Sequence, residues 1–288
     1  MTNDIGIAGA GRMGTAFARR LIETGHRVKV WNRSPGRLTG VVEAGAEVAD
    51  LQALAACDKI LLSLTDANAS AQVLRDLAAA GIGGRLLIEL STLSPAEADA
   101  LAAQADAAGA EFVHCPVGGT VAPALKGQLL GMAGGTPAAF DRARPVLEHL
   151  CRRVEHLGMP GAAARMKLAV NLPLATYWQT LGESLSLLRG AGVPHELAVS
   201  LIADSSAGPT VLKNRAQVVV DTLNGADQPG TFDIAGLMKD LRLALDLAAA
   251  EGADLPLARC AEPRYRAALD AGLGGCDGAS LTRLAAQG

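Results

Sequence analysis

The sequence predicts an α/β chain, with a doubly wound parallel sheet first and an all-α part second, joined by one long helix. Three observations predict it. Apolar runs of strand length alternate with amphipathic stretches through the first half. From residue 162 onward apolar residues recur at helical spacing and no convincing strand appears. Between the two regimes, Gly-Met-Pro-Gly at 158–161 punctuates the chain. The expected domains are therefore residues 1–161 and 162–288.

The strands are expected at 5–9 (IGIAG), 28–32 (VKVWN), 59–64 (KILLSL), 85–91 (RLLIELS) and 111–117 (EFVHCPV). Helical stretches at 13–24, 69–80 and 95–108 separate them, and this alternation argues for a sheet covered on both faces. The joining helix is expected over 162–190, with a bend at Pro173. Further helices follow at 194–204, 209–223, 233–251 and 256–271.

Composition narrows the function classes. Half of the 288 residues are apolar but only 3% are aromatic, so the core is built from small aliphatic side chains. The net charge is -3, without blocks of like charge, which gives no footprint for nucleic acid or a charged membrane. No apolar run reaches the roughly 18 residues of a membrane span. The five cysteines show no CxxC spacing and the histidines no HxxxH spacing, so neither a disulfide framework nor a metal site is expected. The N-terminal residues lack the basic region of a secretion signal, and a cytoplasmic location is expected.

Gly9-Ala10-Gly11-Arg12-Met13-Gly14 has GxGxxG spacing between an apolar strand and a helix. Gly9 permits the turn, Gly11 lets backbone approach a pyrophosphate, and Gly14 lets helix pack on strand. Phosphates then sit on the helix N-terminus, where free N–H groups favour anions. This is the Rossmann dinucleotide signature. The second strand ends in Trp31-Asn32-Arg33-Ser34 rather than in an acidic residue. No carboxylate there would repel a 2′-phosphate, Arg33 can pair with it, and Asn32 and Ser34 can add hydrogen bonds. NADP (as NADPH) is preferred over NAD.

Beyond these residues the chain resembles the β-hydroxyacid dehydrogenases, which include 3-hydroxyisobutyrate dehydrogenase and the glyoxylate/succinic semialdehyde reductases. Six motifs carry the resemblance in register: GAGRMG (9–14), SLTDA (63–67), ELSTLSP (89–95), CPVGGTVAPALKGQLLGMAGG (115–135), RMKLAVN (165–171) and LMKDLRLAL (237–245). It implies that Lys167, on the joining helix, is the general acid and that Asn171, one turn on, holds the substrate or orients the lysine. An ammonium beside a carbonyl oxygen can stabilise developing charge and donate a proton. It further implies that Leu64, Thr65 and Thr92 line the nicotinamide nucleotide and that Lys239 reaches the cofactor. Ser91 and the loop Gly118-Gly119-Thr120 would meet the substrate.

Departures from the family pattern are visible too. Gly118 stands where a serine is usual, Pro123 replaces a glycine, and Ala163 takes the second place of a glycine pair that Gly161 begins. Gly119 also stands where the sulfolactaldehyde reductase branch has arginine, which gives no support for a sulfonate. His114 and Cys115 are read as packing residues, because neighbours on a strand face opposite ways. The expected activity is hydride transfer between NADP and a small β-hydroxyacid or its semialdehyde or keto acid, in a homodimer or homotetramer. An imine reductase on the same fold ranks second, and a non-catalytic NADP-binding protein third.

Overall fold

The computed structural model describes residues 4–287. They form two compact units, one ending at Lys167 and the other beginning at Leu168. The sequence puts the junction ahead of the long helix, whereas the compact units divide inside it.

The first unit opens with β1 (Asp4–Ala8), α1 (Arg12–Glu23) and β2 (Arg27–Trp31), then a 3-10 turn at Pro35–Arg37. Next come α2 (Thr39–Val42), β3 (Glu47–Val48), α3 (Leu51–Ala55), β4 (Lys59–Leu62), α4 (Ala67–Ala80), β5 (Leu86–Glu89), α5 (Pro95–Ala107) and β6 (Glu111–His114). The strand order is β3-β2-β1-β4-β5-β6, with every neighbouring pair parallel. The order reverses direction between β1 and β4, and a crevice opens there at the carboxyl ends of the strands.

Burial follows the two-residue period of a sheet packed on both faces. Leu61, Leu86 and Ile88 join one core with Phe17, Val28 and Val30 from α1 and β2. Ile60, Leu62 and Leu87 join the other with Leu74, Leu77 and Leu101 from α4 and α5. The helices start where their caps dictate. Asp66 accepts from the Ala69 N–H ahead of α4, and Ser94 and Glu97 form a reciprocal capping box ahead of α5.

The sheet continues beyond what the sequence pattern predicts. After β7 (Val117–Gly118) and α6 (Val121–Leu125), β8 (Leu129–Gly135) pairs antiparallel with both β6 and β7. Then α7 (Pro137–Leu150) leads to β9 (Cys151–His156), parallel to β8. β8 reads LLGMAGG and β9 reads CRRVEH, so neither shows an apolar alternation.

The joining helix α8 runs Pro160–Ser186 and continues through Pro173. It ends four residues short of the expected stretch, and Gly190 follows in a left-handed turn. The second unit adds α9 (His195–Asp204), α10 (Thr210–Leu223), α11 (Ile234–Glu251), α12 (Pro256–Asp270) and α13 (Ser280–Gln287). Its core gathers Trp178, Leu212, Met238, Leu241 and Tyr265. Tyr265 is fully buried and its hydroxyl donates to the Ala175 carbonyl at 2.7 Å. Burying that hydroxyl with a partner avoids the desolvation cost of an orphaned polar group. Among the described residues no helix is long and apolar enough to cross a membrane.

Candidate active site

The glycine turn lies at the β1 end of the crevice, and its three glycines stand there for three different reasons. Gly9 has φ +110°, and a Cβ on it would lie 2.2 Å from the Ser63 carbonyl oxygen. A Cβ on Gly14 would lie 1.9 Å from the Gly9 carbonyl oxygen, so only glycine lets α1 close on the turn. A Cβ on Gly11 would meet nothing within 4 Å. That open space sits at the N-cap of α1, where no side chain caps the helix and no acidic residue occupies the first turn. A dinucleotide pyrophosphate fits this cradle by both shape and charge. Arg12 is exposed on the first turn, while Met13 packs against the core.

The turn is braced from β2. The Gly9 N–H donates to the Trp31 carbonyl at 2.8 Å. The Ala10 N–H donates to Asn32 Oδ1 at 2.9 Å, and Asn32 Nδ2 donates to the Ser34 carbonyl at 2.9 Å. Asn32 therefore links the phosphate turn to the segment that follows β2, a brace the sequence alone did not suggest. Arg33 and Ser34 are exposed. Arg37, on the next turn, is exposed as well and was missed, although it follows Arg33 by only four residues.

The loops after β4 and β5 meet at one hydrogen bond. The Leu64 N–H donates to Ser91 Oγ at 3.0 Å. The Ser91 N–H donates to Glu89 Oε1 at 2.8 Å. Leu64 is half-buried with its side chain against Gly9, and Thr92 is half-buried. Thr65 is exposed, and its hydroxyl donates to the Asp66 carboxylate at 3.0 Å. Glu89 was missed; its signal is a carboxylate closing an otherwise apolar strand.

Lys167 is 7% exposed, and its ammonium donates to the Val117 carbonyl at 2.9 Å. Val117 begins the loop that carries Gly118, Gly119 and Thr120, so one strand end fixes the lysine and the loop together. Gly119 has φ +121° and a Cβ on it would lie 2.7 Å from Leu129 Cδ2. At Gly118 a Cβ would make only ordinary contacts, the nearest being Leu130 Cβ at 3.5 Å. Thr120 is the N-cap of the short α6 and makes no side-chain cap bond. Gly134 packs against the start of α8, where a Cβ would lie 2.4 Å from the Met159 carbonyl oxygen and 3.0 Å from the Ala163 methyl.

The helical unit holds its own polar group. Asn171 Nδ2 donates to Asp240 Oδ2 at 2.6 Å, and Lys239 Nζ lies 3.5 Å from Asp240 Oδ1. Asp240 is buried at 4% exposure, and sequence reasoning passed over it although it directly follows Lys239. Among the described residues, no group of three or more His, Cys, Asp or Glu is placed to hold a metal ion.

Comparison with known proteins extends this geometry to a family. Residues 4–158 match the NAD binding domain of 6-phosphogluconate dehydrogenase. Residues 161–285 match the family described as NAD-binding of NADP-dependent 3-hydroxyisobutyrate dehydrogenase. A 3-hydroxyisobutyrate dehydrogenase of Pseudomonas aeruginosa is 33% identical, over 98% of each chain. Glyoxylate/succinic semialdehyde reductase 1 of Arabidopsis thaliana is 28% identical, over 95% of each. The solved structure of Mycobacterium tuberculosis 3-hydroxyisobutyrate dehydrogenase with L-serine aligns with a TM-score of 0.87, at 28% identity and 99% coverage of both chains. Both units are matched, in the same order and nearly end to end, which makes this chain a member of the β-hydroxyacid dehydrogenase family of NAD(P)-dependent oxidoreductases.

Proposed function

We propose that the chain interconverts a small β-hydroxyacid and its semialdehyde or keto acid, with NADP as the cofactor and Lys167 as the proton-transfer group. The observation that carries this reading is the buried Lys167 ammonium on the Val117 carbonyl, at the head of the loop 118–120. Bound NADPH supplies hydride to the substrate carbonyl carbon. The oxygen left behind gains negative charge, and the Lys167 ammonium stabilises that charge and delivers the proton. In the oxidising direction the neutral amine takes the hydroxyl proton back. Backbone N–H groups of Gly118, Gly119 and Thr120 bind the substrate's acid group, and Ser91 also contacts the substrate. Asn171, one helical turn after Lys167 in sequence, is assigned to holding the substrate or orienting the lysine; its amide is bonded to Asp240.

Gly9, Gly11, Arg12, Met13 and Gly14 cradle the pyrophosphate. Leu64, Thr65 and Thr92 line the nicotinamide half, and Lys239 serves the cofactor. Arg33, Ser34 and Arg37 receive the 2′-phosphate, because two exposed guanidinium groups and no carboxylate follow β2. The relatives' named substrates, a hydroxyisobutyrate and short semialdehydes, set the substrate size. A retained lysine favours carbonyl over imine reduction. The protein is a homodimer or homotetramer in this reading, supported by the exposed Leu187, Leu197 and Leu201 of the helical unit.

The test is Lys167→Ala. It is expected to bind NADPH as the wild type does and to lose about 10²- to 10⁴-fold in kcat for NADPH oxidation with succinic semialdehyde. Retained turnover would sink the assignment.

A further inference from the structure

His114 closes β6 in register with Glu89 of β5, and both side chains are fully buried. Its ring stands between two backbone carbonyls. Nε2 is 3.0 Å from the Ser91 oxygen, and Nδ1 is 3.3 Å from the Pro160 oxygen. The Ser91 main chain is thereby held at both ends, its N–H by Glu89 and its carbonyl by His114. The Ser91 hydroxyl in turn carries the Leu64 N–H. Pro160 is the first residue of α8, and Lys167 follows seven residues later, two turns on and on the same side of the helix. Its ammonium returns to Val117, three residues after His114. The segment 114–117 therefore meets α8 twice, at the root through the ring and at the lysine through a carbonyl.

We propose that His114 is a positioning residue for the reaction, one that fixes the Ser91 turn relative to the helix carrying Lys167. The proposal rests on the reading of Lys167 as the proton-transfer group. Packing alone does not explain the arrangement, since a fully buried ring with both nitrogens on carbonyl oxygens costs desolvation that an aliphatic side chain would avoid. Burial pushes the imidazole pKa down, against the pull of the two carbonyls and of Asp99. A neutral ring has one N–H to give. In the proposal that N–H is on Nε2, the nitrogen with the shorter contact, and donates to Ser91, while Nδ1 stands 3.3 Å from the Pro160 oxygen.

The experiment compares His114→Leu, His114→Gln and His114→Asn with Lys167→Ala. NADPH oxidation by succinic semialdehyde gives kcat and KM, and NADPH fluorescence gives Kd. The glutamine amide reaches the Nε2 position, whereas the asparagine amide reaches only the Nδ1 position. His114→Leu and His114→Asn are expected to lose about 10- to 100-fold in kcat, the scale of a misplaced reacting group, with NADPH Kd within about threefold of wild type. His114→Gln is expected to recover most of that loss. If the leucine variant does not fold, the contrast between glutamine and asparagine carries the test. Wild-type kcat in His114→Leu or His114→Asn overturns the proposal, as does a folded His114→Gln as slow as Lys167→Ala. Turnover retained in Lys167→Ala brings down the lysine reading itself, and this proposal with it.

Discussion

Two glycine-bearing turns, one after β1 and one at β7, resemble each other more in sequence than in physics. In the turn at 9–14, backbone contact demands Gly9 and Gly14, because a Cβ at either would sit about 2 Å from a carbonyl oxygen. In the loop at 116–120, Gly119 is held by its positive φ and by Leu129, but Gly118 is not required by anything nearby. At 9 and 14 the fold leaves no choice but glycine. At 118 glycine is a choice about what meets the loop. The difference separates a turn fixed by chain geometry from a loop position that chain geometry leaves free.

The largest expected effect comes from placing a methyl group where the fold forbids it. Gly14→Ala pushes Cβ into the Gly9 carbonyl and is expected to cost about 3 kcal/mol or more in urea denaturation, or to prevent folding. Gly11→Ala is the partner experiment. Its methyl enters open space, so the unfolding free energy should change by less than about 0.5 kcal/mol. That space is the proposed pyrophosphate seat, and NADPH affinity should fall at least tenfold, about 1.4 kcal/mol. Equal NADPH affinity in wild type and Gly11→Ala would break the contrast within the first turn.

The same contrast explains what could be read from the sequence. GxGxxG, the apolar runs of β1, β4 and β5, and the helical half were legible because period and glycine spacing are direct consequences of backbone geometry. β8 and β9 were not. LLGMAGG is a strand because it lies against β6 and β7, and CRRVEH because it lies against β8; neither segment carries that information itself. The motif singles out Lys167, but the partner of its ammonium is a main-chain carbonyl, which no sequence displays. Asn32 illustrates the same limit: its residue type suggested a ligand contact, and its amide is spent on Ala10 and Ser34. His114 was set aside by a sound rule about strand faces. The rule disposed of a pair with Cys115 and said nothing of carbonyls in neighbouring segments.

An intermediate effect is expected where side chains, rather than backbone, are proposed to select the cofactor. Arg33 is exposed, so its removal should leave stability unchanged. Arg33→Ala is expected to raise KM for NADPH about 10- to 100-fold, the ~1.5–3 kcal/mol of a hydrogen bond to a charged group, and to leave KM for NADH within about twofold. An equal rise for both cofactors would move Arg33 from 2′-phosphate recognition to general support of the turn.

The smallest expected effect tests the permissive glycine. Gly118→Ser adds a hydroxymethyl whose Cβ meets Leu130 at ordinary contact distance, so thermal stability should be close to unchanged. If the loop binds the substrate's acid group through its backbone, the new hydroxyl adds one donor beside those N–H groups. KM for succinic semialdehyde should then fall by about three- to tenfold, the value of one net hydrogen bond, with kcat unaltered. Butyraldehyde, which has the same chain length without the carboxylate, should show no change. A parallel shift for both aldehydes would mean that position 118 shapes the pocket without reading charge. No shift for either would place the anion site elsewhere and leave Gly118 as solvent-facing loop.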